Sequence, residues 1–244
     1  MRATDIISEG TKHLTPGFEI PLPWKEGEPN LRNNRSYAIH RLNSLFRKFK
    51  KEPSYQEEYH QAIQKYLDMG YASQVKDDDV GGDNEFYLPH HGVYKNTISK
   101  RKLRVVFDSA AAFNGKCLND ALITGPNLLN DLPTVLVKFR EGAIAVTSDI
   151  EAMFSRIRMT KQDARYHRFL WKPPGSEKII TYQMDRVTFG NCCSSFFAIY
   201  ATRRAADDFG NGRTTTIKAI KENLYTDDYL DSAKTEKEVI ERAK

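Results

Sequence analysis

Hydrophobic residues recur at helical spacing in the first third of the chain. One apolar stripe consists of Ala38, Leu42, Leu45, Phe46 and Phe49, and it predicts an amphipathic helix. A second helix is predicted from Ser54, because Ser54 and Glu57 match the S-x-x-E capping box, to a stop at Gly70. Residues 1–16 show no comparable pattern, so we expect them to form an N-terminal tail.

From residue 86 onwards the pattern changes to strands separated by polar turns. Strands are predicted at 86–96, 102–110, 143–149 and 169–184, the last as a hairpin closed by Pro173-Pro174-Gly175. The apolar run 143–149 is expected to be a buried strand that ends in an acid. Further helices are predicted near 127–140, 160–169, 191–209 and after the capping pattern of Thr235 and Glu238. Helices and strands alternate without a regular βαβ order, which favours the α+β class.

The composition is that of a water-soluble globular protein. The 244 residues have a mean hydropathy of -0.60 and contain no run of about 20 apolar residues, which excludes a membrane-spanning helix. The N-terminal sequence lacks an apolar signal-peptide core, so we expect an intracellular, cytoplasmic protein that does not bind a membrane. Three cysteines without a C-x-x-C pair indicate reduced thiols and no zinc site.

Positive charge is concentrated in two segments of the chain, 29–51 and 95–104. The net charge is +5, and Pro29–Lys51 holds seven Lys or Arg residues and no acid. Five of these lie off the apolar stripe of the first helix, including Lys50, and the candidates for nucleic-acid binding are Arg41, Arg47, Lys48 and Lys51. Such a face suits a polyanion, because each neutralised phosphate releases counterions. The alternative is an ordinary solvated basic face.

Acidic residues mark two candidate sites for chemistry. Asp149 ends the predicted strand 143–149, and Asp227-Asp228 lies between two short apolar strands. Adjacent carboxylates repel each other unless a cation neutralises them, and oxygen ligands of this kind suit Mg²⁺. Two such ions about 4 Å apart are typical of nucleotidyl transfer. Alternatively, Asp149 caps the next helix and Asp227-Asp228 is an exposed turn.

Three ordered segments resemble motifs A, B and C of reverse transcriptases. They are TSDIEAMFSRI (147–157), VTFGNCCSSFFA (187–198) and LYTDDYLDS (224–232). GFEIPLPW, from residue 17, and KLRVVFDSAAAFNGKCLNDALITGPNLLNDL, from residue 102, are similar to the polymerases of Pao (BEL/Pao) retrotransposons in particular. The resemblance covers residues 17–244.

The resemblance implies a right-hand polymerase, with an antiparallel palm sheet backed by helices. Its parts would be an N-terminal tail (1–16), fingers (17–112 and 157–188) and palm (113–156 and 189–244). The implied activity is RNA-directed DNA polymerisation on an RNA or DNA template–primer with dNTPs as substrates. The implied catalytic residues are Asp149, Asp227 and Asp228, which would bind two Mg²⁺ ions, or Mn²⁺ in their place, with the Ile150 carbonyl as a further ligand.

The same resemblance implies a set of nucleotide-binding residues. The Phe154 ring, five positions after Asp149, would exclude a 2′-hydroxyl; the alternative is an ordinary core phenylalanine. Arg104, with Lys102 on the same face of a strand, would bind the triphosphate through charge-assisted hydrogen bonds; the alternative is an edge strand protected by charge. Phe189 and Gly190 would approach the nucleotide and its paired template base, since glycine allows close backbone contact.

The sequence also departs from the family pattern. Ser195 stands where proline is usual, and we expect it to cap the helix that follows. Thr226 stands where an aliphatic residue is more common, and we expect it to be tolerated as a strand residue. The chain ends at Lys244, one predicted helix after motif C, so the resemblance implies a polymerase truncated before its thumb: a polyprotein fragment or a decayed gene. A remnant that binds nucleic acid without polymerising is the alternative.

Overall fold

A computed structural model describes residues 2–27, 29–96 and 101–243. Its helices are α1 (Arg2–Gly10), α2 (Arg35–Lys51), α3 (Pro53–Asp68), α4 (Leu118–Ala121), α5 (Leu132–Phe139), α6 (Lys161–Ala164), α7 (Ser194–Phe209), α8 (Thr214–Asn223) and α9 (Glu236–Ala243). Its strands are β1 (Lys12–Leu14), β2 (Gly17–Ile20), β3 (Ala72–Gln74), β4 (His90–Asn96), β5 (Arg101–Phe107), β6 (Ile144–Asp149), β7 (Ile157–Met159), β8 (Arg168–Trp171), β9 (Ile180–Met184), β10 (Leu224–Tyr225) and β11 (Asp228–Ala233). The basic turn expected between β4 and β5 lies largely outside the described residues.

The described strands form small sheets with helices packed against them. The strand orders are β1-β2-β7, β10-β11-β6, β3-β9-β8 and the hairpin β4-β5. All pairs are antiparallel except β2 with β7. The α+β class expected from the sequence is confirmed. No helix in the described part of the chain is both long and apolar enough to span a bilayer.

The two helices predicted from apolar stripes pack around an aromatic core. Phe49 of α2 and Tyr59 of α3 both contact Trp171 of β8, at ring-centroid distances of 6.0 and 5.4 Å. His90 lies in the same cluster, where the Tyr59 hydroxyl donates to its Nδ1. Burial lowers the pKa of His90 to about 4, so the ring is neutral at physiological pH.

The predicted capping box at the start of α3 is wrong. The helix begins one residue earlier, at Pro53, and no side chain caps it. Proline is favoured in a first helical turn because its fixed φ suits the helix and it has no N–H to satisfy. Only Glu52 separates α2 from α3.

A buried acid joins the N-terminal segment to the rest of the fold. Asp163 accepts hydrogen bonds from the Leu22 N–H, at 2.9 Å, and from the Trp24 indole N–H, at 2.8 Å. Thr160 caps α6 by accepting from the Asp163 N–H, at the start of the helix predicted near 160–169, of which the α-helical part ends at Ala164. The extended segment after β2 is therefore held in the core by Leu22 and a polar anchor.

The N-terminal residues do not form the tail that the sequence led us to expect. Residues 2–10 are helical in α1, and β1 pairs with β2. Ala3 is 3% and Ile7 0% exposed. A helix of nine residues is marginal alone, so it forms here through packing that no local pattern reveals.

We expect Ile7→Ala to lower the free energy of unfolding by about 2–5 kcal/mol, because it leaves a cavity in the core. Ile6→Ala is the matched control, since Ile6 is only partly buried and should cost clearly less. Urea denaturation measures both variants. Equal and negligible losses of unfolding free energy in the two variants would show that α1 is not packed against the core.

Candidate active site

The acidic residues of motifs A and C meet in one sheet. β6 pairs with β11 in an antiparallel register that places Asp149 directly opposite Asp228. The Ile150 N–H donates to the Asp227 carbonyl at 2.8 Å, just beyond the last ladder pair. Directly opposed residues of an antiparallel pair project from the same face with Cβ atoms about 4.5–5.5 Å apart. The fold therefore brings residues about 80 positions apart in the chain to one end of a sheet.

β6 is not the buried strand that its apolar sequence predicts. It lies at the edge of its sheet, and Ala145, Thr147 and Asp149 on one face are exposed. On the other face, Val146 and Ser148 line a cavity of about 660 Å³ between the sheet and helices α7, α8 and α9. The length of the apolar run does not show whether the strand is buried, because burial depends on which elements cover each face of the sheet. The exposed face is the one that carries Asp149.

A two-residue turn joins β10 to β11 and presents the third acid. Thr226 occupies the left-handed region with φ of 55°, which is unfavourable for a β-branched residue. Its hydroxyl lies 2.9 Å from Asp227 Oδ1. The expectation that Thr226 would be accommodated as a strand residue is wrong, since the residue lies in the turn.

Two carboxylates placed opposite each other repel unless a cation is present. None of the ion pairs among the described residues involves Asp149, Asp227 or Asp228. The three residues suit a hard divalent cation, because their side chains carry carboxylate oxygens and the backbone places them at one end of the sheet. However, the side chains of the described residues include no group of three His, Cys, Asp or Glu close enough to hold a metal ion as they stand.

The segment after Asp149 turns sharply. The Ile150 carbonyl accepts a hydrogen bond from the Met153 N–H at 3.2 Å, so one of its two lone pairs is occupied. Ala152 is left-handed, with φ of 53°. A short 3₁₀ turn, Met153–Arg156, then carries Phe154. The proposed role of the Ile150 carbonyl as a metal ligand stays a prediction.

Phe154 and Phe189 form a ring pair. Their centroids lie 4.3 Å apart with an interplanar angle of 49°. Phe154 is half-buried against the core, whereas Phe189 is 65% exposed. Motif A and motif B thus meet through their aromatic residues.

Gly190 lies against the end of β5. A Cβ built on it would meet the Phe107 carbonyl oxygen at 2.2 Å and Ser109 Oγ at 3.0 Å. The structure therefore gives this glycine a packing role inside the chain. Approach to a nucleotide, the role that the resemblance implies, stays a prediction.

The start of α7 also differs from expectation. The helix begins at Ser194, three residues later than predicted, after Cys193 at the N-cap. Ser195 is exposed and makes no capping bond. The adjacent Ser194 hydroxyl instead donates to the Thr188 carbonyl, which closes the motif B loop.

Lys102 and Arg104 lie on the same exposed face of β5, as their spacing predicts. Arg104 pairs across the hairpin with Val93 and Lys102 with Lys95. The face is therefore basic and open to solvent. Contact of either residue with a triphosphate stays a prediction.

The basic residues of α2 project away from its buried stripe. Arg47, Lys48 and Lys51 are exposed, and the Lys48 ammonium lies 4.0 Å from the centre of the Tyr55 ring. Arg41 is half-buried and forms an ion pair with Asp108, at 3.8 Å. Three of the four residues expected to bind nucleic acid are thus free of acidic partners among the described residues.

Sequence reasoning missed a polar network around the motif B loop. Asn119 donates through Nδ2 to the Gly190 carbonyl, at 3.1 Å, and accepts from the Cys192 N–H, at 2.9 Å. Asn191 is buried and accepts from the Ser109 hydroxyl, at 2.8 Å. These asparagines occur singly and far apart in the chain, so only the three-dimensional structure identifies them as a unit.

No protein-family model matches the sequence, and no curated protein matches it. Solved structures do share its fold. A foamy viral protease-reverse transcriptase in complex with dsDNA is 17% identical with a TM-score of 0.55, covering 77% of this chain and 33% of that chain. Another structure of the foamy viral protease-reverse transcriptase, a dRH form in complex with dsDNA, is 18% identical with a TM-score of 0.53, covering 75% of this chain and 27% of that chain.

A third structure, of the foamy viral enzyme in complex with an RNA/DNA hybrid, is 17% identical with a TM-score of 0.51, covering 79% of this chain and 21% of that chain. The chain thus spans between about a fifth and a third of the length of these structures. At these identities the likeness establishes the fold: the chain has the mixed α+β fold of reverse transcriptases.

We expect Gly190→Ala to lower the free energy of unfolding by about 1–3 kcal/mol, because the added methyl group meets backbone atoms that cannot move aside. Gly82→Ala is the matched control, since nothing lies within 4 Å of the position that its Cβ would take, and it should change stability by less than about 0.5 kcal/mol. Urea denaturation measures both. A neutral Gly190→Ala would contradict the packing role.

Proposed function

We propose that the chain is the RNA-directed DNA polymerase domain of a BEL/Pao-type retroelement, with its fingers at 17–112 and 157–188 and its palm at 113–156 and 189–244. The observation that carries this proposal is the β6–β11 register, which sets Asp149 opposite Asp228 at the end of one sheet beside Asp227. The reverse-transcriptase-like fold supports it.

In this function the primer 3′-oxygen attacks the α-phosphate of a dNTP. A new P–O bond forms there, the bond from the α-phosphate to the β-phosphate oxygen breaks, pyrophosphate leaves, and the hydroxyl proton passes to water. Asp149, Asp227 and Asp228 would hold two Mg²⁺ ions, or Mn²⁺ in their place, which would supply charge neutralisation and activation of the attacking oxygen. Arg104 and Lys102 bind the triphosphate through charge-assisted hydrogen bonds. Phe154 excludes the 2′-hydroxyl of a ribonucleotide, and Phe189 and Gly190 border the nucleotide.

Nucleic-acid binding without polymerisation is the second candidate function. It is favoured by one observation: the described side chains do not form a preassembled three-residue metal site. The exposed basic residues of α2 would suffice for such binding, since contacts to phosphates are independent of sequence.

We expect primer extension on a primed RNA template that requires Mg²⁺ and falls at least about 100-fold in Asp149→Asn, Asp227→Asn and Asp228→Asn, because bound metal contributes several kcal/mol to the transition state. Glu151→Gln is the matched control: this acid is two residues from Asp149 and its side chain is 81% exposed, so activity should stay unchanged. Salt-sensitive binding with no extension by the unsubstituted chain would favour the second candidate.

We expect the combined substitution of Arg47, Lys48 and Lys51 by alanine to weaken template–primer binding and to reduce the slope of log K against log salt by about 2–3, since each lost phosphate contact removes about 0.7–0.9. Replacing three exposed lysines elsewhere, Lys161, Lys178 and Lys237, is the charge-matched control. Fluorescence anisotropy at several salt concentrations measures both. Equal slopes would exclude α2 from the interface.

A further inference from the structure

The motif B loop, residues 188–193, is fixed from inside the protein by two asparagines. Asn119 bonds its backbone at Gly190 and Cys192. Asn191 turns its own side chain inward, where it is 5% exposed and lies between Ser109 and His167. His167 Nε2 lies 2.8 Å from Nδ2 of Asn191 and 3.1 Å from its Oδ1, and this Oδ1 accepts from the Ser109 hydroxyl at 2.8 Å.

His167 has the protonation state that this arrangement needs. The ring is fully buried, and burial lowers its pKa, so the imidazole is neutral and Nε2 can accept from Asn191. The other nitrogen, Nδ1, faces the Asp163 carbonyl at 3.4 Å. Polar partners therefore surround the buried amide of Asn191, which makes the inner side of the loop rigid.

The outer side of the same loop carries an exposed aromatic ring. With Asn191 and Gly190 held inward, Phe189 projects outward and is 65% exposed. Its one ring partner among the described residues is Phe154, at 4.3 Å. The contact between the two rings joins the loop at 188–193 to the turn that follows Asp149.

We propose that Phe189 is a specificity-determining residue that acts through Phe154. The Phe189 side chain holds the Phe154 ring, the proposed screen for the sugar, in place. The positioning residues that hold Phe189 are Asn119, Asn191 and His167. This inference rests on the proposed function, because it needs a nucleotide bound next to Phe154.

The local backbone explains why Phe154 needs such support. Phe154 lies on a 3₁₀ turn that is only four residues long and follows a left-handed residue, Ala152, and its ring is only partly covered by the core. Steric selection against one hydroxyl group requires the ring to keep its position to within a fraction of an ångström. A second ring in contact restricts its rotation and displacement.

The test measures kcat/KM for a dNTP and for the matching rNTP in primer extension. Phe189→Ala should lower the dNTP/rNTP ratio by about 3- to 10-fold, the range that loss of an aromatic pair supports. Phe189→Tyr keeps the ring and should restore the ratio. The double variant Phe154→Ala/Phe189→Ala should be no less selective than Phe154→Ala alone, because the two residues act as one unit.

Phe209→Ala is the matched control for Phe189. Phe209 is 57% exposed and also contacts another phenylalanine, Phe18, at 6.2 Å, so its removal should leave the ratio unchanged.

The positioning residues are tested in the same assay. Asn191→Ala and Asn119→Ala should each lower the ratio in the direction of Phe189→Ala. The control is Asn34→Ala, because Asn34 is also buried and bonds the backbone of Tyr87 in another part of the protein. It should lower stability and leave the ratio unchanged, which separates positioning from general destabilisation.

The outcomes distinguish this inference from the proposed function. If the unsubstituted chain incorporates dNTPs and Phe189→Ala keeps full selectivity, the inference is wrong and the polymerase assignment stands. Independent, additive effects of Phe154→Ala and Phe189→Ala would also overturn it. If the unsubstituted chain incorporates no nucleotide in the presence of Mg²⁺ or Mn²⁺, the proposed function fails and the inference fails with it.

Discussion

The pairing of β6 with β11 is the constraint on which the candidate site depends. Backbone hydrogen bonds fix the register, so Asp149 lies opposite Asp228 whatever the side chains do. A slip of one residue would move Asp149 to the other face of the sheet, which borders the cavity of about 660 Å³ beside α7 and α8. The register thus places two acidic residues directly opposite each other at one end of the sheet, the placement on which the proposed cation site rests.

A second constraint joins motif B to the rest of the fold. Gly190 lies so close to the Phe107 carbonyl that only glycine fits without movement, and Asn119 bonds the loop from the opposite side. The end of β5 is therefore mechanically connected to the loop that carries Phe189. β5 also carries Arg104 and Lys102, so the end of this strand connects the proposed triphosphate-binding residues to the loop that carries Phe189.

The sequence predicted those parts of the structure that local patterns encode. The α2 and α3 stripes, the β8–β9 hairpin and the β10–β11 hairpin all follow from spacing within a few residues. The sequence did not predict the elements that tertiary contacts stabilise. The helix α1 forms because Ile7 is buried. The helix α8 is rich in threonine and so has a low intrinsic helix propensity, and it forms because it packs against α7 and β11. The partners of Asn119 and Asn191 could not be read from the sequence, because a polar residue in isolation carries no periodic signal.

We propose that residues remote in the chain meet to share divalent cations, and a crystal structure with Mn²⁺ and a dNTP would show whether they do. We expect an anomalous scattering peak within coordination distance of carboxylate oxygens of both Asp149 and Asp228, with the dNTP phosphates as further ligands. Carboxylates that face apart, with manganese bound elsewhere or nowhere, would contradict it.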